Sequence, residues 1–210
     1  MAFISFSSLA QVWDVQVGSN MTHYDFINTA GVHLNSIKPI SGLHLQTGYQ
    51  HIAVDSRGRR NVNPILGILT FGVHLNYNEF NAMGNKGPNL FNYQTNFLGL
   101  DLIGGVNIPL FSGFSIRGLV HISVNKLIYG YQMVNNDYYD LTEVPQFNGI
   151  QFLNGYSLQV IKSVNPFIQI HVGYKKSNSV FIKPFNGTSL SFEPTTFLVG
   201  IDFLVPKKSK

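Results

Sequence analysis

From Val12 onward, apolar and polar residues alternate in segments of about ten, the period of a β-strand with unlike faces and not the 3.6-residue period of a helix. Eight segments follow one another. In 12–24, Trp13, Val15 and Val17 oppose Asp14, Gln16, Gly18 and Asn20; in 42–53, Leu43, Leu45 and Tyr49 oppose His44, Gln46, Gly48 and Gln50. Segment 65–78 sets Leu69, Phe71, Val73, Leu75 and Tyr77 against Thr70, His74, Asn76 and Asn78, and 97–109 sets Leu98, Leu100 and Leu102 against Gly99, Asp101 and Gly105. In 114–131, Ile116, Val120, Ile122 and Val124 oppose Arg117, His121, Ser123 and Asn125. Leu127, Tyr129 and Tyr131 then fall on the polar phase, so a β-bulge near Lys126 is predicted to return them to the apolar face. Segments 150–161, 166–176 and 195–205 complete the set, the last with Phe197, Val199, Ile201, Phe203 and Val205 in one row. Asn154 interrupts its segment and is read as lying near a strand end.

The connections alternate in length. Leu110 to Gly113 and Lys162 to Asn165 read as tight turns, whereas 27–41, 79–96, 132–149 and 177–194 read as long loops rich in Asn, Gly and Pro. Segment 54–64, with Arg57, Arg59 and Arg60, falls where a short turn belongs and is longer than a turn requires.

Composition narrows what these strands build. The 210 residues contain no dividing linker, which predicts one domain. Charged residues are 11% of the chain, against about 25% in soluble domains, and aromatics reach 13%. A helical membrane span needs about 18 or more consecutive apolar residues, and the sequence has no such run. In hydrocarbon every backbone polar group must pair within the protein, which leaves a closed sheet. The expected fold is therefore all-β: a closed antiparallel up-and-down transmembrane β-barrel of about eight strands.

The chemistry of the two faces assigns inside and outside. A soluble barrel covers its polar face with Lys, Glu, Asp and Arg, but here that face is mainly Gln, Asn, Ser, Thr, Gly and His, as suits an enclosed lumen. The apolar face faces lipid; Lys126 and Lys176, near its loop ends, can extend to the interface. Trp13, Phe114, Phe167 and Phe203 on the turn side, and Tyr77, Phe97, Tyr129, Tyr131 and Tyr174 on the loop side, are expected to form two interfacial girdles.

The terminal Gly200-Ile201-Asp202-Phe203-Leu204-Val205 resembles the Gly-x-x-aromatic-x-apolar signal of outer-membrane barrels. With the alternating strands, it makes Gln11 to Val205 similar to the small outer-membrane barrel superfamily, including OmpA/OmpX-like and PorT-like barrels of Bacteroidota. The resemblance implies a bacterial outer-membrane location. Residues 1–10, apolar and ending Ser8-Leu9-Ala10, look like the remnant of a secretory signal peptide, although they contain no Lys or Arg and the first basic residue of the chain is Lys38. The barrel domain is then 11–210.

An eight-stranded barrel has an interior just wide enough for side chains to fill it. Asp14, Arg117 and Asp202 are expected to meet near its periplasmic end, one guanidinium offsetting two carboxylates, in a polar lumen cluster that also includes Asp101 and His121. His44, His74, His121 and His171 come from four strands without the close spacing of ligand motifs and are read as polar filler, so no metal is assigned. With no cysteine there is no disulfide, thiolate site or lipidated Cys. The net charge of +4 comes from scattered residues and small clusters such as Lys207, Lys208 and Lys210, with no basic helix, so no nucleic-acid partner is expected.

Loop 132–149 concentrates aromatic and acidic side chains. Tyr131, Asp137, Tyr138, Tyr139, Asp140 and Glu143 are the recognition candidates. His23, Asp25, Asp137, Asp140 and Glu143 belong near the outer rim, where lipid A-modifying barrels place their catalytic groups. However, Ser177-Asn178-Ser179 follows lysines and not the His of the deacylase motif. The expected role is non-enzymatic and cofactor-free: a scaffold, adhesin or accessory subunit of an envelope complex, in contact with outer-membrane lipid or lipopolysaccharide and another envelope protein. A lipid-modifying enzyme and a narrow solute pore are the alternatives.

Overall fold

The computed structural model describes residues 9–33, 37–53, 69–86, 89–180 and 186–205. Nine strands follow in order: β1 Leu9–Ile27, β2 Ile37–Ala53, β3 Leu69–Lys86, β4 Asn89–Pro109, β5 Phe114–Val134, β6 Asp137–Asp140, β7 Ile150–Asn165, β8 Ile168–Ser179 and β9 Ser189–Val205. One helical turn, α1 Pro145–Asn148, precedes β7. Eight strands form a ring, β1-β2-β3-β4-β5-β7-β8-β9, closed by antiparallel pairing of β1 with β9 in the register Val15↔Ile201; β6 pairs only with the top of β5. Closure leaves no open edge in the wall, which is what a sheet in lipid requires. Segment 54–64, residues 1–8 and residues 206–210 lie outside the described residues.

Alternation sorts the wall. Trp13, Val15, Val17, Leu75, Leu100, Ile122, Leu158, Val199 and Ile201 face outward, while Asp14, Gln16, His74, Asp101, Arg117, Gln159 and Asp202 are buried inside. Soluble proteins seldom expose apolar area on this scale, and a membrane is the environment that suits it. The β4–β5 turn is tight, with Ser112 and Gly113 at positive φ, whereas the β7–β8 turn falls at residues 166–167 and not at Lys162–Asn165, which are strand.

Three sequence expectations change for one reason. A membrane-spanning strand needs about 9–11 residues, but β4 and β5 each run for 21, so the wall continues well beyond the hydrocarbon. The predicted loop 79–96 is mostly the β3–β4 hairpin, and 132–149 holds the end of β5, β6 and α1. In this upper part the environments swap: outside is now water. The inward row that carries Asp14, Gln16 and Asn20 continues with Tyr24, and the row of His74, Asn76 and Asn78 continues with Phe80 and Ala82. These join Phe97, Leu127, Leu141, Phe147, Leu153, Leu190 and Phe192 in an apolar core inside the barrel. Phe97 therefore belongs to this core and not to the outer girdle.

The bulge lies at Ile128, not Lys126, because Asn96 pairs with Tyr129 and Phe97 with Leu127. Ile128 and Tyr129 are both exposed, so Tyr129 returns to the outer face while Leu127 stays inside. Asn154 does not break the pattern at a strand end. It faces outward within β7, paired with Asn178, while Leu153 beside it joins the core.

Candidate functional site

The lower lumen is a hydrogen-bonded polar plug. Register places Asp14 of β1 directly opposite Asp202 of β9. Arg117, fully buried, donates from Nη2 to Asp202 Oδ2 at 2.6 Å and from Nη1 to Gln159 Oε1 at 3.3 Å. Asp14 is held differently: its Oδ2 accepts from Gln50 Nε2 at 3.0 Å and from Gln16. His171 stands between the two carboxylates, Nδ1 3.4 Å from Asp202 Oδ1 and Nε2 3.8 Å from Asp14 Oδ1. Of the expected trio, Arg117 thus contacts Asp202, whereas Asp14 is hydrogen-bonded by Gln50 and Gln16 and has His74 and His171 nearby. Sequence alone reads His171 as filler; its position two residues from Gln169, the partner of Asp202, is the signal that could have found it.

One level higher, Asp101 accepts from Lys175 Nζ at 2.5 Å, from Asn76 Nδ2 at 2.5 Å and from Ser123. Lys175 also donates to Gln46 Oε1 at 3.1 Å. A lysine on the inward row of β8 is the natural counter-ion for a buried aspartate, and sequence reasoning omits it from the cluster. His121 does not touch Asp101 by hydrogen bond; its Nε2 lies 2.8 Å from Ser177 Oγ. Above these, His44 Nδ1 meets Asn78 Oδ1 at 2.6 Å, and Asn20 Nδ2 donates to the same oxygen at 3.2 Å.

The upper lumen is closed by aromatic packing. The Tyr24 and Phe192 rings meet edge to face at 5.0 Å, Phe80 and Phe97 lie 5.0 Å apart, and the Tyr24 hydroxyl donates to the Phe80 carbonyl at 2.7 Å. Phe147 of α1 inserts from above, 6.1 Å from both Tyr93 and Phe192. Within the plug, a void of about 10 Å³ is bordered by Gln16, Gln46, Asp101, His121 and Lys175, close to the smallest volume that can take one water. Larger concavities, of about 600 and 480 Å³, lie on the outer wall beside Leu102, Val120 and Tyr156, and beside Leu75, Leu98 and Ile150.

The loop candidates form a structured hairpin. β5 turns into β6 through Asn135 and Asn136, both at positive φ, the pairing that a two-residue type I′ turn demands. The Tyr131 ring lies 5.5 Å from Tyr138 and 5.9 Å from Tyr129, and its hydroxyl donates to Gln94. Asp137, Tyr138, Tyr139, Asp140 and Glu143 are exposed, Tyr138 to 70%. Asp140 Oδ1 accepts from the Thr142 amide and hydroxyl, both at 2.7 Å, and these bonds hold its carboxyl below the usual carboxylate range.

A closed eight-stranded wall, an outward apolar belt and a polar lumen together define the fold of a small transmembrane β-barrel of the outer-membrane type. A major outer membrane protein of Thermus thermophilus superposes with a TM-score of 0.52 at 10% identity, over 92% of this chain and 99% of that one. Neisserial surface protein A gives 0.49 at 13% identity, over 92% and 97%, and OprG of Pseudomonas aeruginosa 0.48 at 10%, over 96% and 99%. No protein-family model and no curated protein matches the chain.

Proposed function

We propose that this barrel is a non-enzymatic scaffold, adhesin or accessory subunit of an envelope complex, anchored in lipid or lipopolysaccharide and binding another envelope protein through its outer hairpin or wall. The closed interior carries this reading. Among the described residues, a charged plug fills the lower lumen and an aromatic core the upper, an interior that favours neither a solute path nor a substrate pocket. What the protein offers a partner is its outside. The β5–β6 hairpin presents Tyr138, Tyr139, Asp137 and Asp140 on a rigid strand pair, and exposed tyrosines beside acids form the adaptable, low-entropy contacts of recognition surfaces.

The test is cross-linking and co-purification in mild detergent, comparing the natural chain with a Tyr138→Ser/Tyr139→Ser variant that keeps its folded-barrel gel mobility. A defined partner lost in the variant supports the proposal. Single-channel conductance of the purified protein in planar bilayers, or altered lipid A upon its expression, would replace it with the pore or the enzyme.

A further inference from the structure

The seam where β1 and β9 close the barrel brings together unpaired atoms of three metal-ligating side chains. Asp14, His171 and Asp202 are buried to within 1% of completely, and they come from the adjacent strands β1, β8 and β9. Asp14 Oδ1, Asp202 Oδ1 and both ring nitrogens of His171 have no hydrogen-bond partner. These atoms point at one another: 3.4 Å separates His171 Nδ1 from Asp202 Oδ1, 3.8 Å separates His171 Nε2 from Asp14 Oδ1, and one donor atom from each residue falls within a 4.8 Å cluster. Buried polar groups are ordinarily paired, and the two free carboxylate oxygens with one of the two imidazole nitrogens make a three-atom donor set that calls for an occupant.

The outer oxygens are already fixed. Asp202 Oδ2 accepts from Arg117, and Asp14 Oδ2 from Gln50 and Gln16, which leaves each carboxylate with one oxygen turned to the centre. Such hydrogen bonds orient metal ligands in known sites. Ligand atoms about 2.0–2.2 Å from a tetrahedral ion stand about 3.4 Å apart, and the three donor atoms here lie within 4.8 Å of one another, so small side-chain shifts bring them to that spacing. Charge agrees as well: two carboxylates against one guanidinium leave a net negative centre. A proton on His171 Nδ1, shared with Asp202 Oδ1 at 3.4 Å, is the competing occupant, and it leaves Asp14 Oδ1, 3.8 Å from Nε2, without a hydrogen bond. His74 Nε2, also unpartnered and 3.7 Å from Asp14 Oδ2, adds a second imidazole at the margin.

We infer that Asp14, His171 and Asp202 form a structural site for one divalent d-block cation such as Zn²⁺, which ties three strands across the closing seam. One imidazole with carboxylates suits this class of ion, and the nitrogen donor disfavours Ca²⁺ and Mg²⁺. In a chain without cysteine the ion takes the place a disulfide would hold in securing the ends of the sheet.

Because the site is sealed, the test begins from unfolded protein. The full chain is refolded into detergent with Zn²⁺ or with EDTA, dialysed and analysed for metal by mass spectrometry. The expected result is one retained Zn²⁺ per chain and a higher melting temperature for the zinc-refolded barrel. His171→Gln and Asp14→Asn should each weaken retention about tenfold or more while keeping folded gel mobility. Three results would overturn the inference: no zinc retained by the natural chain, zinc retained without a stability difference, or full retention in both folded variants. The last would assign the metal to surface groups such as His33 and Asp25. If the variants fail to fold, the zinc dependence of the natural chain's melting decides alone.

Discussion

Replacing Arg117 by Met tests the lower plug most directly. The substitution keeps most of the side-chain volume but removes the guanidinium that donates to Asp202 Oδ2 at 2.6 Å, with both side chains fully buried. The Asp202 carboxylate would then face Asp14 across the β1–β9 pair without the guanidinium that offsets their repulsion. Removing one member of a buried ion pair costs about 3–5 kcal/mol. Arg117→Met/Asp202→Asn removes the stranded charge too, so the double variant should recover about 1–3 kcal/mol relative to the sum of the single changes. The assay is equilibrium urea unfolding in lipid vesicles, followed by emission from Trp13, the sole tryptophan, which lies on the lipid face. A single-variant loss below about 1 kcal/mol, or coupling below about 0.5 kcal/mol in the double-mutant cycle, would refute the view that this pair holds the plug.

Two further outcomes follow from the wall and the hairpin. Val199→Arg places a charge on the exposed apolar belt opposite Val17 and should cost about 2–4 kcal/mol in the same unfolding assay; a neutral result would mean that this position does not face hydrocarbon. Thr142→Val removes the hydroxyl hydrogen bond to Asp140, so the Asp140 pKa should rise toward the ordinary range in a carbon-13 NMR titration in micelles. The sign is fixed: a carboxyl with a depressed folded pKa stabilises the hairpin above its unfolded value and loses that contribution as pH falls, so acid and not base should loosen the turn. An unchanged titration in the variant would contradict it.

The barrel was legible because lipid enforces a strict period of two, with one charge-poor row per strand. Val15, Val17, Val199 and Ile201 can be assigned to the outside from the sequence alone. Legibility ends where lipid ends. Once water replaces hydrocarbon outside, the apolar row moves inward, and Phe80, Ala82 and Phe97 no longer fit the lower pattern. A reader following one phase meets apparent noise there and writes a loop for 79–96. Leu127 carried the signal of this exchange, apolar on the polar row, and a bulge alone did not account for it. Within the lumen, the residue types were readable but their partners were not. Asp101 and Lys175 lie 74 residues apart, and only the closed ring brings them together.

The exchange of faces gives one continuous sheet two solvents. The lower half meets hydrocarbon along its apolar belt, so changes in lipid chain length or detergent act on it there. The upper half is folded around Tyr24, Phe80, Phe147 and Phe192, a core of its own inside the wall. The hairpin and the rim it belongs to therefore rest on that core and not on the lipid-facing belt.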